Sequence, residues 1–365
     1  MMNKPASTAT RREFLTGKTV RSEAPREGEA AVNASLVKPE EQIESAAGDT
    51  IRLETRAMAC DFAVIMNLGP VEQVKAASNA LELVHQLEDQ MSVYREESEL
   101  SRLNKQAAEA PLPVEQHLFE MLLEARRLCV ETNGGFDPTS GVLVELWRQC
   151  RQDGRIPTDH EIAAVSELID IDHVRFNEEQ HTVGFDRRGV ELSPGGIGKG
   201  YALDRAGQLL FEQGVDDWLI HGGHSSLLAR GDYNEQGGWP VGIRNPLFPD
   251  ERLAMIQLKD CALSSSGSGV QSFRHNGKRY GHILDPRSGW PAEGMLSVTV
   301  VARTAAQADA LSTAFFVNGV EQAQHYCNNR DDVSALLIPS PYKGRKLEPV
   351  VCGKADEVLF FSENV

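Results

Sequence analysis

The chain has 365 residues, 41% of them hydrophobic and 25% charged, a balance that supports one large core or two modest ones without disulfide or metal staples. Its formal net charge of -16 argues against electrostatic attraction to nucleic acid or anionic lipid, which depends on Lys and Arg meeting phosphate. No apolar run approaches the roughly 20 residues needed to cross a bilayer, and the six cysteines are scattered without CxxC spacing, so reduced, buried thiols are expected.

Residues 1–48 are rich in Ala, Ser, Thr, Glu, Lys and Arg and are expected to form a disordered tail. Arg11-Arg12-Glu13-Phe14-Leu15 resembles a twin-arginine export signal, but Thr16 to Glu23 carry charges where such a signal needs roughly 7 to 15 apolar residues, and no lipobox cysteine follows. On this ground a cytoplasmic location is favoured, with a periplasmic one left open. Residues 49–365 are expected to form one domain, with 152–160 as a candidate internal boundary.

From Ile51 the pattern becomes globular. A mostly apolar strand is expected over Asp61 to Leu68, closed by Gly69-Pro70, and then a helix on which Val74, Ala77, Leu81, Val84, Leu87 and Met91 recur at three- and four-residue steps as a core stripe. Helices are expected over Glu115 to Glu131 and Val142 to Arg151, separated by the turn-forming Asn133-Gly134-Gly135. After a short helix come strands at Val174 to Asn177 and Thr182 to Phe185.

The glycines then cluster. Ser193-Pro-Gly-Gly-Ile-Gly-Lys-Gly-Tyr201 leads into a helix expected over Ala202 to Gln213. Strands are expected at Trp218 to His221, Ser226 to Ala229, Trp239 to Ile243, Ala254 to Leu258 and Ser297 to Val301. Helices at Ala305 to Phe316 and Val320 to Cys327 and a strand at Ser334 to Ile338 follow. Gly222-Gly223, Ser264 to Gly269 and His282 to Pro291 read as further loops. Helices and short-turn strands without strict βαβ alternation indicate an α+β fold.

Four glycines, a lysine and a following helix suit an anion, because backbone amides approach it closely and the helix start adds positive potential. A tight strand-to-helix turn explains the same residues. The loop is not a Walker A motif, since Ser193 and Gly200 stand where a Gly and a Ser or Thr are needed, and it misses the dinucleotide fingerprint spacing. Asp309 and Thr313 are four apart and share a helix face, which suits a hard cation held with a carbonyl and substrate phosphates; a solvent-facing or capping pair is the alternative. His221 and His224 flank two glycines, which spoils zinc geometry, and no G-x-S-x-G elbow accompanies the serines at 264–268.

In order along the chain, several blocks resemble the ApbE family, the FAD:protein FMN transferases. These are Met58-Ala-Cys-Asp-Phe62, Met91-Ser-Val-Tyr-Arg-Glu-Glu-Ser-Glu-Leu-Ser-Arg-Leu-Asn104, Gly135-Phe-Asp-Pro-Thr-Ser-Gly141, Gly196-Ile-Gly-Lys-Gly-Tyr-Ala-Leu-Asp204, His282-Ile-Leu-Asp-Pro-Arg-Ser-Gly289 and Ala308-Asp-Ala-Leu-Ser-Thr313. The resemblance implies mixed, mainly antiparallel sheets flanked by helices. It also implies cleavage of FAD, with the FMN half joined through phosphate to a Thr or Ser of a target flavoprotein and AMP released. Flavin or nucleotide contacts are implied at Met58, Tyr94, Gly135, Phe136, Asp137, Gly195, Tyr201 and Leu284, with Lys199 adding charge. Magnesium is implied at the Gly198 carbonyl, Asp309 and Thr313, with Ser312 nearby.

His282 or Asp285 is the candidate acceptor of the hydroxyl proton, a structural His and a turn-forming Asp being the alternatives. The chain departs from the family pattern at His224, where Asp or Asn is usual, at Ser265, where Thr is usual, and at Gly198, where Ala is usual. Hydrolysis of FAD to FMN and AMP, or flavin binding without catalysis, are the rival readings.

Overall fold

The computed structural model describes residues 44–45, 50–269, 272–341, 346–354 and 359–361. Arg11-Arg12 and nearly all of the expected tail lie outside them; Glu44–Ser45 form a short strand, β1, on the edge of the main sheet.

Two strands and the first helix open the fold: β2 (Thr50–Ala57), β3 (Cys60–Asn67) and α1 (Val71–Met91). Next come α2 (Glu99–Gln106), β4 (Leu112–Pro113), α3 (Gln116–Glu131), α4 (Gly141–Gln152), α5 (Asp159–Ser166), β5 (Val174–Asn177), β6 (Thr182–Phe185) and α6 (Gly198–Glu212). The second half runs β7 (Trp218–Gly222), β8 (Ser226–Arg230), β9 (Trp239–Arg244), β10 (Arg252–Leu258), β11 (Cys261–Gly267), β12 (Ser272–His275), β13 (Lys278–Gly281), β14 (Met295–Ala302), α7 (Ala305–Asn328), β15 (Ser334–Pro339), β16 (Val350–Cys352) and β17 (Leu359–Phe361).

Among the described residues the main sheet has nine strands in the order β1-β2-β3-β7-β8-β11-β14-β15-β16, every neighbouring pair antiparallel. Helices α1, α6 and α7 cover one face; the sheet formed by β9, β10 and β17 lies against part of the other. Side chains alternate between the two. In β7, Trp218 and Ile220 join the helix-side core and Leu219 the opposite cluster; in β3, Phe62, Val64 and Met66 face the helices and Ile65 the far side. Cover on both faces is why these strands read as unbroken apolar runs rather than as a polar–apolar alternation.

The expected α+β architecture is the one found; β2, α2, β12 and β13 were not anticipated, and three expected elements differ in detail. Helix α6 starts at Gly198, four residues earlier than expected, so Gly198 and Gly200 lie in its first turn while Gly195 and Gly196 form the turn before it. Ser264 to Gly267 belong to β11, not to a loop, because Ala262, Ser264 and Ser266 project toward α7 while Leu263 and Ser265 project away. The two expected helices at 305–316 and 320–327 are halves of α7, interrupted at Gly319 (φ 81°, ψ -175°), a conformation essentially closed to other residues. Of the cysteines, Cys129, Cys150, Cys327 and Cys352 are buried as expected, whereas Cys60 and Cys261 are half-buried.

The start of α7 is fixed by α6. Asp204 accepts the Ala305 and Ala306 N–H groups at 2.7 and 2.8 Å, and burial pushes its carboxyl up to about 7, those two bonds and the charges of Glu124 and Asp309 acting secondarily. A folded-state value above the ordinary 3.8 means that Asp204 contributes stability fully at low pH and loses that contribution as pH rises toward about 7. The unfolding free energy of wild type relative to Asp204→Asn is therefore expected to fall, by on the order of 3 kcal/mol, between about pH 4 and 7. Urea titrations of both proteins at several pH values measure it, and a difference independent of pH contradicts the assignment.

Candidate active site

The carboxylate of Asp309, on the second turn of α7 and 4% exposed, is the centre on which three elements converge. From β8 and β11, Ser226 and Ser264 donate to its Oδ1 at 3.2 and 3.0 Å. From α6, the Gly200 N–H donates to Oδ2 at 3.2 Å and Lys199 Nζ stands 3.5 Å from the same oxygen. A nearly buried carboxylate is thus balanced by one ammonium, one helix N-terminus and neutral hydroxyls.

One turn on, Ser312 donates to the Asp309 carbonyl at 2.9 Å and Thr313 lies 3.4 Å from it, while Ser266 Oγ is 2.8 Å from Ser312 Oγ and 3.4 Å from Thr313 Oγ1. Gly196 (φ 82°) passes directly over this group. A Cβ there would stand 3.2 Å from Thr313 Oγ1 and 3.4 Å from the Phe136 ring, so only glycine leaves the hydroxyl uncovered.

Of the implied metal residues, Asp309, Ser312 and Thr313 therefore come together, with Lys199 beside them, and Gly198 opens the helix whose Gly200 N–H meets Asp309. Their donors are all oxygen, one of them a carboxylate, which fits a hard cation that draws its remaining ligands from phosphate and water. Among the described residues no three His, Cys, Asp or Glu side chains converge, which sets the cluster apart from a transition-metal centre. His221 Nδ1 is 2.9 Å from the Gly223 carbonyl and so donates to it.

The implied flavin contacts divide into two groups. Phe136 lies beside Gly196, and Gly195 donates to Ser193 Oγ at 3.2 Å. Gly135 packs on Asn318 of α7, whose amide holds the Thr132 carbonyl at 2.8 Å. Met58 occupies the turn between β2 and β3, and Tyr94, between α1 and α2, is 76% exposed. Two side chains are turned to internal partners instead. Asp137 accepts both the N–H and the hydroxyl of Thr139 at 2.8 and 2.6 Å, its carboxyl raised by burial, and the Tyr201 hydroxyl meets Glu120 at 3.3 Å.

The loop after β13 carries His282, Leu284 and Asp285. It is closed by the Asp285 N–H on Trp290 O at 2.8 Å and the Ala292 N–H on Ile283 O at 2.9 Å, and Trp147 of α4 clamps it through Gly289 O at 2.9 Å. His282 is exposed; Asp285 accepts Arg287 Nε and the second guanidinium nitrogen at 2.8 and 3.0 Å. Arg287 reaches over Gly134, tying the loop to the Asn133–Gly135 turn. A cavity of about 360 Å³ opens here, lined among others by Tyr280, Asp285, Ser288, Trp290 and Val317. Asp309, Thr313 and Val317 follow at four-residue steps on α7, so the cavity begins one helical turn, about 6 Å, beyond the cation cluster.

The ApbE family model matches residues 51–337. The chain belongs to the ApbE family. A FAD:protein FMN transferase of Treponema pallidum is 31% identical over 284 residues, 74% of this chain and 78% of the relative, and one of Salmonella typhimurium is 32% identical over 273 residues, 70% and 74%. Among solved structures, the flavin transferase ApbE from Vibrio cholerae superposes with a TM-score of 0.76 at 26% identity, covering 85% of this chain and 99% of that one. The apo flavinyl transferase ApbE of Pseudomonas stutzeri gives 0.74 at 26%, covering 87% and 98%. The ApbE fold expected from the motifs is thus the one observed, and the protein is a transferase.

Sequence reading missed Ser226, Ser264, Ser266 and Asp204. For the β11 serines a signal was present: Ser264 and Ser266 share the parity of the buried Ala262.

Proposed function

We propose that the protein transfers FMN from FAD to a Thr or Ser hydroxyl of a partner flavoprotein, with magnesium required and AMP released. The observation that carries the proposal is the oxygen-only cluster of Asp309, Ser312 and Thr313 beneath Gly196, with Lys199 on its edge and a cavity one helical turn away.

A magnesium ion held by Asp309, the Gly198 carbonyl and the hydroxyls of Ser312 and Thr313 would supply charge neutralisation at the pyrophosphate. Lys199 and the N–H groups at the start of α6 add positive potential to the same anion. Met58, Tyr94, Phe136 and Leu284 offer apolar contact to a ring system, while the backbone at Gly135, Asp137, Gly195 and Tyr201 allows close approach. The acceptor hydroxyl oxygen attacks the phosphorus on the FMN side; the bond from that phosphorus to the bridging oxygen breaks, and the bridging oxygen leaves with AMP.

His282, exposed at the mouth of the loop, takes the hydroxyl proton. Asp285 is the second candidate acceptor, and its carboxylate, accepting from Arg287, also holds the loop in shape.

Incubation with FAD, magnesium and a candidate acceptor, followed by in-gel flavin fluorescence and AMP quantification, tests the proposal. Fluorescent acceptor with matching AMP is expected. AMP without labelled acceptor would mean hydrolysis, and FAD binding with neither product would overturn both catalytic readings.

A further inference from the structure

The turn joining β2 to β3 has two residues, Met58 and Ala59, closed by the Ala57–Cys60 pair, and both have positive φ, 49° and 60°. Such a turn normally uses Asn-Gly or a similar pair, because a Cβ is disfavoured in this conformation. Strain of this kind persists only where the surroundings over-determine it. Here the determinant is Glu88, in the last turn of α1. Its Oε1 accepts the Met58 N–H at 2.8 Å, and its Oε2 stands 3.4 Å from Arg95, which also pairs with Asp89. Arg95 follows Tyr94, the exposed aromatic residue of the next segment, and that segment is tethered at its start by the Tyr94 N–H on Ser92 Oγ at 3.2 Å.

A single carboxylate thus links two segments far apart in sequence, the Met58 turn and the Tyr94–Arg95 loop. We infer that Glu88 is a positioning residue for the flavin dinucleotide: it holds the Met58 turn and the Tyr94 loop in one geometry, so the ligand meets a preformed edge and does not have to order it on binding. This rests on the proposed contacts of Met58 and Tyr94 with the flavin. Glu88 acts through those residues and touches neither phosphorus nor hydroxyl, so its loss shifts FAD affinity and leaves turnover at saturation in place.

The test is FAD affinity by flavin fluorescence quenching with magnesium present, alongside KM and kcat, for wild type, Glu88→Ala, Glu88→Gln and the double variant Glu88→Ala/Ala59→Gly. Glu88→Ala is expected to weaken FAD binding about 10-fold, with kcat within about 2-fold of wild type. Glu88→Gln, which still offers an oxygen to the Met58 N–H but loses the ion pair, is expected to lose about 3-fold. Ala59→Gly is expected to recover at least half of the logarithmic loss, because glycine adopts the turn without strain. Melting temperatures establish that each variant is folded. Wild-type affinity in Glu88→Ala, a loss confined to kcat, or a folded double variant with no recovery overturns the inference while leaving the transferase reading intact. Failure of the wild-type protein itself to bind FAD overturns both.

Discussion

Asp309→Ala is expected to lower flavin transfer on the order of 10³-fold in kcat, the scale seen when a charge-stabilising group is removed from a water-excluded site. Two effects combine. Among the described residues of the proposed cation cluster the carboxylate is the one anion, and it is the counter-charge of Lys199 at 3.5 Å, so its loss leaves an uncompensated ammonium beside the proposed cation. It also accepts from Ser226, Ser264 and the Gly200 N–H, whose desolvated donors would be stranded; stability should therefore fall by roughly 2 to 4 kcal/mol as well. Asp309→Asn separates the two effects. It keeps the volume and one acceptor oxygen, so its melting temperature should stay nearer wild type while its magnesium requirement rises at least about 10-fold. Initial rates across a magnesium titration measure this, and full magnesium-dependent activity in either variant would refute the assignment.

Gly200→Ala should have the largest effect on stability of any single methyl addition near the site, about 3 kcal/mol. A Cβ at this position would stand 2.1 Å from the Ala305 carbonyl oxygen and 2.4 Å from its carbon, both backbone atoms that cannot rotate away. Helix α6 must then withdraw from the start of α7, which costs packing in a close-packed core and pulls the Gly200 N–H off Asp309. Equilibrium denaturation measures the loss, and a change below about 0.5 kcal/mol would show that the two helices do not meet as described. The contrast with Gly214, whose Cβ would meet nothing within 4 Å, makes Gly214→Ala a useful control, although its φ of 79° carries its own strain.

What could be read in the sequence was decided by range. The stripe of α1 and the strands at Val174–Asn177 and Thr182–Phe185 depend on local periodicity, and the structure returns them closely. The residues proposed to hold the cation were legible as two separate patterns, a glycine turn and an Asp–Thr pair, neither of which spacing alone distinguishes from ordinary packing. Motif order joined them, and their contact through Gly200 N–H and Lys199 gives the joining a physical form.

Asp204 stood in the sequence as the last residue of the Gly196–Asp204 block but without a role, because only the tertiary approach of α7 turns it into a buried cap. The serines of β11 were hidden by composition, since a Ser-Ser-Ser-Gly run looks like a loop until the neighbouring strands claim it. Glu88 was hidden by its setting on a solvent-rich helix end beside Asp89, where a lone acidic residue carries no pattern of its own.

The proposed reaction cleaves the pyrophosphate of FAD and delivers its FMN half to a protein hydroxyl and not to water. The most direct measurement is peptide-level mass spectrometry of the acceptor flavoprotein after reaction with FAD and magnesium, with the Asp309→Asn enzyme run in parallel. FMN linked through phosphate to one Thr or Ser is expected in the wild-type reaction, and little or none with the variant. An unmodified acceptor recovered while FAD is consumed to FMN and AMP would contradict it.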